Sequence, residues 1–412
     1  MAKISTSAST LMPVADARAR ILDAMKTVSA ESVSLAQARG RVLADDVIAR
    51  VTQPPVAVSA MDGYAVRAAD VASVPATLTV IGEAPAGGAF DGNVGAGQAV
   101  RIFTGGPVPT GADAIVIQED TMRDGDQVTV KEAVLAGRFI RPAGLDFSAG
   151  DVGVEAGRTL TARDIALCAA MNVPWLRVRR RPRVAVLANG DELVMPGDTI
   201  GPNQIVSSNN VGLCALIDAS GGEAIDLGIA PDDADGLVAM AAGARGADLL
   251  ITIGGASVGD HDLIQSVLGE SGLNVDFWRI AMRPGKPLIF GHFGDVPMLG
   301  LPGNPVSALV CGLVFLKPAI AALLGADAPD LATRSASITS DLGKNDQRQD
   351  YLRATTTKDD NGNLTVTPFG KQDSSMLSRL ARANALILRA PHAEAVTAGD
   401  SVDIIDLEPL GY

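Results

Sequence analysis

Apolar residues along this chain change their spacing from one region to the next, and the changes mark its elements. From Asp16 to about Ala49, Ile21, Leu22, Met25 and Val28, then Leu35, Val42 and Leu43, recur at helical intervals with polar residues between them, which predicts a helical region. Thr52-Gln53-Pro54-Pro55 ends it, because consecutive prolines cannot continue a helix. Between Val56 and Gly150 the pattern becomes short β-branched runs, at Thr77 to Ile81, Ala114 to Ile117 and Gln127 to Lys131, separated by Gly, Pro and Asp; this predicts a small β domain. A helix is predicted from Thr161 to Met171, with Thr161 as N-cap and Asp164 in the capping-box position.

The basic run Arg177-Val178-Arg179-Arg180-Arg181-Pro182-Arg183 follows, and charge runs of this kind are ordinarily solvated linkers. From Val184 to about Leu324 apolar runs alternate with amphipathic stretches, at 184–188, 211–219, 225–229, 237–244, 249–253, 263–268, 287–290, 298–299 and 306–316. This alternation predicts an α/β sheet with covering helices. The apolar run Ala308 to Leu316 stops at Lys317-Pro318, too short to span a bilayer. The tail returns to β texture at 364–367, 385–388 and 402–405, with Asn361-Gly362 as a hairpin turn.

At 412 residues the length gives a prior of roughly three domains. Hydrophobic residues at 47% and charged ones at 20% make a folded globular chain rather than a disordered one. A net charge of -13 opposes a general nucleic-acid binder, which needs basic surface to displace counterions, and with the apolar run too short to span, neither nucleic acid nor membrane is expected as a partner. Cys168, Cys214 and Cys311 are odd in number, far apart and each set in an apolar stretch, so they read as reduced core residues; with only three histidines, a zinc site is disfavoured. Met1 to Pro13 lacks the basic start and apolar run of a secretory signal, giving a cytoplasmic expectation.

In a doubly wound sheet, ligands bind beyond the carboxyl ends of the strands. There the sequence places Asn189-Gly190-Asp191-Glu192, then Pro231-Asp232-Asp233, then the Gly-rich segment Gly254 to Asp262, which contains Gly255, Ser257, Gly259 and His261. Two further loops fall at the same edge by chain order: Arg283-Pro284-Gly285-Lys286-Pro287, and Leu301-Pro302-Gly303-Asn304-Pro305-Val306-Ser307 leading into a helix. A Gly-rich turn opening a helix lets backbone amides approach a phosphate. This one lacks both the P-loop lysine and the GxGxxG spacing, and a mere tight turn is the alternative. Carboxylates beside a phosphate make sense when a divalent cation lies between, and loop oxygens suit magnesium. Glu192, Asp232 and Asp262 are the metal candidates, although each alone could be a cap or turn residue.

Taken together, Ser59 to Tyr64, Thr104 to Gly111, Gly144-Leu145-Asp146, Gly190 to Leu193, Gly254 to Gly259, Pro284 to Pro287 and Leu301 to Ser307 resemble, in order and spacing, the MoeA family, which gephyrin-type proteins also contain as a domain. The agreement runs from about residue 10 to the end. The resemblance implies a multidomain α/β plus β fold. A linker domain split between 8–51 and 151–181 would flank an inserted β domain at 52–150, followed by a MogA-like molybdopterin-binding α/β domain at 182–328 and a C-terminal β-barrel at 329–412. It also implies an elongated homodimer, molybdopterin adenylyltransferase as pathway partner, and a magnesium-assisted reaction turning adenylylated molybdopterin and molybdate into molybdenum cofactor and AMP. By position, Asp62, Thr104, Asp146, Glu192, Asp232 and Asp262 match the family's catalytic positions. Asp62 and Thr104 would serve the α/β site of the other subunit. Gly254, Gly255, Ser257, Gly259, Arg283, Lys286, Pro302, Pro305, Ser307, Arg353 and Ser374 match substrate-binding positions. The chain departs from the family at Arg279 and Arg283, where lysine is frequent, at Asn189, where threonine is common, and at Ala256, where valine is usual.

Three rivals stand beside this reading. A non-catalytic scaffold paralogue is opposed by the intact Asp62, Asp146 and Glu192, and an adenylyltransferase, whose single α/β domain resembles 184–324, by the extra β domains. A magnesium-dependent phosphohydrolase would release AMP without molybdate.

Overall fold

In the computed structural model, residues 11–254, 273–327 and 331–408 are described. The chain forms two compact units: one comprises Ser32–Arg39 and Asp45–Arg177, the other the described residues up to Glu31, Gly40–Ala44 and the chain from Val178 onward.

The first unit is built on a six-stranded sheet in the order Ala114–Ile117, Gly63–Val66, Gln98–Ile102, Ala76–Ala84, Gln127–Val130, Thr121–Asp124. The β-branched runs picked out by their spacing thus fall on strands. Tyr64 and Val66 enter one apolar cluster and Ala65 another, so successive side chains of Gly63–Val66 pack on opposite faces of a strand buried on both sides. Backbone approaches closely here: a Cβ at Gly63 would lie 1.9 Å from the Val116 carbonyl oxygen. The span carrying this sheet leaves and re-enters through a short ladder. Val47–Ile48 pairs antiparallel with Val152–Val154, the Ala49 amide donates to the Asp151 carbonyl (2.9 Å) and the Gln53 amide to the Phe147 carbonyl (2.9 Å).

Helix Ala162–Ala170 begins as its sequence predicts. The Thr161 hydroxyl accepts from the Asp164 amide at 3.5 Å, and the Asp164 carboxylate accepts from the Thr161 amide at 2.7 Å and hydroxyl at 2.6 Å. The helical region expected over 16–49 is corrected: only Val14–Asp23 and one turn at Leu35–Ala38 are helical, while Ala30–Ser34 is a strand. Thr27, Val28 and Val33 are β-branched and the interleaved serines compete for backbone bonds, so helical spacing of apolar residues was not matched by helical propensity. The Val28 amide instead donates to the Leu323 carbonyl at 2.8 Å. Nor is the basic run a solvated linker. Leu176 and Val178 are buried in strand Trp175–Arg179, Arg177 pairs with Asp45 at 3.4 Å, and Arg180 binds both oxygens of Asp248 at 2.7 Å each.

The second unit holds another six-stranded sheet, ordered Glu223–Ala230, Arg183–Asn189, Leu249–Ile253, Val296–Leu301, Ile289–Phe293, Leu273–Trp278. The first four strands are parallel and the last two antiparallel to their neighbours. Val184, Val186 and Ala188 pack on one face with helices Ser208–Ala219 and 305–323, and Ala185 and Leu187 on the other with Ala234–Ala241. The long helix continues through Lys317-Pro318, where the apolar run Ala308 to Leu316 stops. Proline lacks an amide and crowds the carbonyl four residues back; the π-helical turn Gly312–Leu316 just before it shifts those carbonyls out of register. Its mean hydropathy of 2.1 would suit a membrane span, but 78% of that window is buried within the protein, which makes it a core helix.

Strands Gln349–Lys358, Leu364–Pro368, Arg334–Ile338, Ser401–Asp406 and Ala385–Arg389 pair in that order, and the last pairs back with the first, closing a five-stranded barrel. The Asn361-Gly362 turn lies in its 359–363 connection, where the Asp359 carboxylate accepts from the Asn361 and Asn363 amides. All three cysteines are free; burial pushes the half-buried Cys214 thiol up to about 11 and that of Cys311 higher still.

Candidate active site

The pairings Asn189 with Ala230, Ala188 with Ile253 and Ile253 with Leu301 bring four carboxyl ends to one edge of the parallel sheet. Because Ile289 pairs with Gly300 and Trp278 with Ile289, the 279–288 loop emerges at the same edge. Gly254 sits where strand ends converge. Its amide donates to Leu301 (3.2 Å), its φ is +94°, and a Cβ would come within 2.7 Å of the Asn189 carbonyl oxygen, so glycine is required.

The two acidic loops are stitched together. Asn189 is 6% exposed and its amide nitrogen donates to the carbonyls of Pro231 (3.1 Å) and Ala230 (3.4 Å). The Asp232 carboxylate accepts from the Asp191 amide (3.2 Å) while the Asp191 carboxylate accepts from the Asp232 amide (3.1 Å). Asp233 caps helix Ala234–Ala241 through the Gly236 amide at 2.7 Å. Glu192 has its backbone fixed by Ile205, whose amide donates to its carbonyl at 2.8 Å, and its carboxylate exposed. Gly255, Ser257, Gly259 and Asp262 lie outside the described residues. Among the described residues no three His, Cys, Asp or Glu groups converge as a metal cage. The carboxylate oxygens of Glu192 and Asp232 are nonetheless hard donors of the kind magnesium takes, one or two at a time, alongside water and substrate phosphate.

Among the basic and hydroxyl candidates, Lys286 is exposed on the 279–288 loop, where its carbonyl accepts from the Ile280 amide at 3.0 Å. Pro302 is buried, Pro305 occupies the first turn of the long helix, and Ser307 follows it, 4% exposed. The Val306 amide donates to the Ser374 carbonyl at 3.0 Å, so the barrel loop bearing Ser374 meets this helix N-terminus. Arg353, 1% exposed, braces that loop: its Nε donates to Gln372 (3.1 Å) and its Nη1 to the carbonyls of Asp373 (2.9 Å) and Met376 (3.3 Å). Burial, and then repulsion from Arg379, lowers the affinity of its guanidinium for its proton. Arg283 is placed differently. Its guanidinium is paired with Asp350 and, at 3.4 Å, with Asp346, and donates to Asn345 at 3.1 Å. Burial raises the Asp350 carboxyl, and the adjoining guanidinium, itself held more firmly charged, offsets only part of that rise.

In the first unit the two Gly- and Pro-rich motifs interlock. The Ser59 amide donates to Gly106 (2.9 Å), the Gly105 amide to Ser59 (2.9 Å), and the Val108 amide to Ala57 (2.9 Å). This places the Asp62 carboxylate to accept from both the amide and the hydroxyl of Thr104, each at 2.7 Å. Those two bonds, aided by Arg101, hold the Asp62 carboxyl below its ordinary value. Asp146 stands exposed on a loop fixed by its amide to Gln53 (3.0 Å) and by the Gly144 amide to Pro54 (2.9 Å); no hydrogen bond among the described residues joins it to Asp62 or Thr104. The sequence reading missed Asp191, although the paired acids in both loops signalled it as strongly as Glu192, and it missed Arg101 and Gln372, whose partners are distant in the chain.

Three family models match successive parts of the chain. The MoeA N-terminal region (domain I and II) matches residues 12–172, the probable molybdopterin binding domain residues 185–322, and the MoeA C-terminal region (domain IV) residues 335–407. The chain belongs to the MoeA family. It is 36% identical over 406 residues to the molybdopterin molybdenumtransferase of Haemophilus influenzae, covering 98% of this chain and 99% of that protein. Identity to the molybdopterin molybdenumtransferase of Bacillus subtilis is 32% over 405 residues, covering 96% and 94%. The crystal structure of the molybdopterin biosynthesis MoeA protein from Pyrococcus horikoshii superimposes with a TM-score of 0.84 at 29% identity, covering 96% of this chain and 99% of that one.

Proposed function

We propose that this protein inserts molybdate into adenylylated molybdopterin, giving molybdenum cofactor and AMP. The observation that carries the reading is the stitched acidic edge, Asn189 to Glu192 clasped to Asp232 on the sheet edge from which the loop of Lys286 also emerges, in a chain matched over nearly its whole length by molybdopterin molybdenumtransferases. In this reading Glu192 and Asp232, with Asp262, hold magnesium, which when bound neutralises charge on the phosphoanhydride. Lys286, Ser307 and the braced Ser374 loop attract and orient oxyanion groups, and Gly254 keeps the strand ends close enough for backbone to approach them. Asp62, kept ionised by Thr104, offers a fixed negative charge oriented by that hydroxyl. The same proposal extends to a four-part division at 8–51 with 151–181, 52–150, 182–328 and 329–412, a cytoplasmic homodimer, and supply of substrate by a molybdopterin adenylyltransferase.

The test is to supply purified protein with adenylylated molybdopterin and magnesium, with and without molybdate, and to follow AMP and active cofactor. Molybdate-dependent formation of both is expected. Substrate binding without turnover would overturn the proposal in favour of a scaffold, and AMP release indifferent to molybdate would overturn it in favour of a phosphohydrolase.

A further inference from the structure

We infer that Arg101 is a positioning residue for Asp62, clamping the peptide on which the Asp62–Thr104 pair is mounted. This rests on the proposed role of Asp62. Strand Gly63–Val66 lies between Gln98–Ile102 and Ala114–Ile117, with Tyr64 opposite Arg101 and Gly63 opposite Ile117. From that position the planar guanidinium reaches both flanks of Asp62. Its Nη1 donates to the carbonyl of the following residue, Gly63, at 3.1 Å. Its Nη2 donates to the Gln118 side chain at 2.8 Å, and the Gln118 amide in turn donates to the carbonyl of Asp62 itself at 3.1 Å.

The aromatic contacts close the same clamp around the other partner. The guanidinium carbon lies 5.2 Å from the Tyr64 ring centre and 4.9 Å from that of Phe103. Phe103 immediately precedes Thr104, and Tyr64 follows Asp62 by two residues. One side chain therefore ties together the strand carrying the carboxylate and the segment carrying the hydroxyl that orients it. The positive charge also favours the ionised form of Asp62, behind the larger contribution of the Thr104 bonds. Lysine would keep the charge but, as a single point donor, could not span two acceptors and stack as a plane.

The experiment is a double-mutant cycle of Arg101→Lys and Asp62→Asn, read as kcat and KM for adenylylated molybdopterin together with the melting temperature. Asp62→Asn alone tests the role of Asp62: unchanged turnover would sink that role before Arg101 enters. With the role standing, Arg101→Lys is expected to lower kcat by about tenfold, since misplacement of a catalytic group by about 1 Å costs up to about 100-fold, with KM within about twofold of the parent. It is expected to have no further effect once Asp62 is already asparagine. An equal loss in both backgrounds, or an unchanged kcat, would overturn the inference and leave Arg101 a fold residue. Gln118→Leu, which removes one exposed end of the clamp, provides a second route if the lysine variant fails to fold. A smaller drop in kcat, again absent in the Asp62→Asn background, supports the clamp, and an unchanged kcat overturns it.

Discussion

Arg353 illustrates what a buried cation does when its hydrogen bonds go to neutral oxygens, with the Asp373 carboxylate acting on it only through space. The described bonds of its guanidinium go to one amide oxygen and two backbone carbonyls, so its charge is spent holding the 369–376 loop in shape. Arg353→Ala is therefore expected to destabilise the protein by roughly 3 kcal/mol, the scale of several lost bonds to a charged group, and to raise the molybdate concentration for half-maximal turnover by loosening the Ser374 loop. A denaturation curve and a molybdate titration check both halves. Asp62 and Thr104 could be picked out because they fall in motifs whose order along the chain is informative, whereas Arg353, expected to bind substrate oxyanions, is buried and bonded to the 369–376 loop. Asp191 and Arg101 could not be picked out, because their meaning depends on which strand lies opposite, and one-dimensional spacing does not specify cross-strand register.

Elements differ in how far their causes lie from them along the chain. The capping box at Thr161 and Asp164 spans three residues, so it could be read directly. Burial opposes ionisation of Asp164, yet the hydroxyl and amide of Thr161, with Arg158 at 3.0 Å, outweigh it and hold the carboxyl below its ordinary 3.8. A lowered carboxylate stabilises the fold fully above pH 3.8, and that contribution disappears as pH falls through the folded-state value. Asp164→Asn is expected to cost about 1 kcal/mol at neutral pH, as lost caps do, with the gap from the parent narrowing below about pH 4. Urea midpoints measured from pH 3 to pH 7 decide it; a gap independent of pH would refute the electrostatic account. The stretch after Asp23 was misread for the opposite reason. What settles it is a bond from Val28 to Leu323, some three hundred residues away, which local periodicity cannot register.

At the scale of the whole molecule, the alternation of apolar and amphipathic runs was enough to place the α/β sheet, because a strand buried on both faces reads as an unbroken apolar run. From the residue pattern the barrel was legible only as β texture, and the expectation of a barrel came from the family resemblance. Its closure depends on pairing Gln349–Lys358 with Ala385–Arg389, which no turn signal announces. The homodimer proposed with the function has its own test. If Asp62 of one copy completes the acidic edge of the other, mixing the impaired Asp62→Asn and Glu192→Gln proteins, with subunit exchange, is expected to raise activity to about one quarter of the parent, since about half the dimers are then mixed and each keeps one intact site. No recovery after verified exchange would show that each copy works with its own residues.

The narrow gate formed by Val47–Ile48 and Val152–Val154 has a consequence for how such a chain could have been assembled. Departure and return of the whole span from Gln53 to Phe147 occur within one hydrogen bond of each other, so the span behaves as a self-contained excursion whose closure is already secured at its base. To the strands on either side it is equivalent to a tight turn, since only the distance between its two ends matters to them. An ancestor could have acquired the excursion in a single step, or a descendant could shed it, without renegotiating the pairing beneath; the gate is a seam along which evolution could have edited this protein.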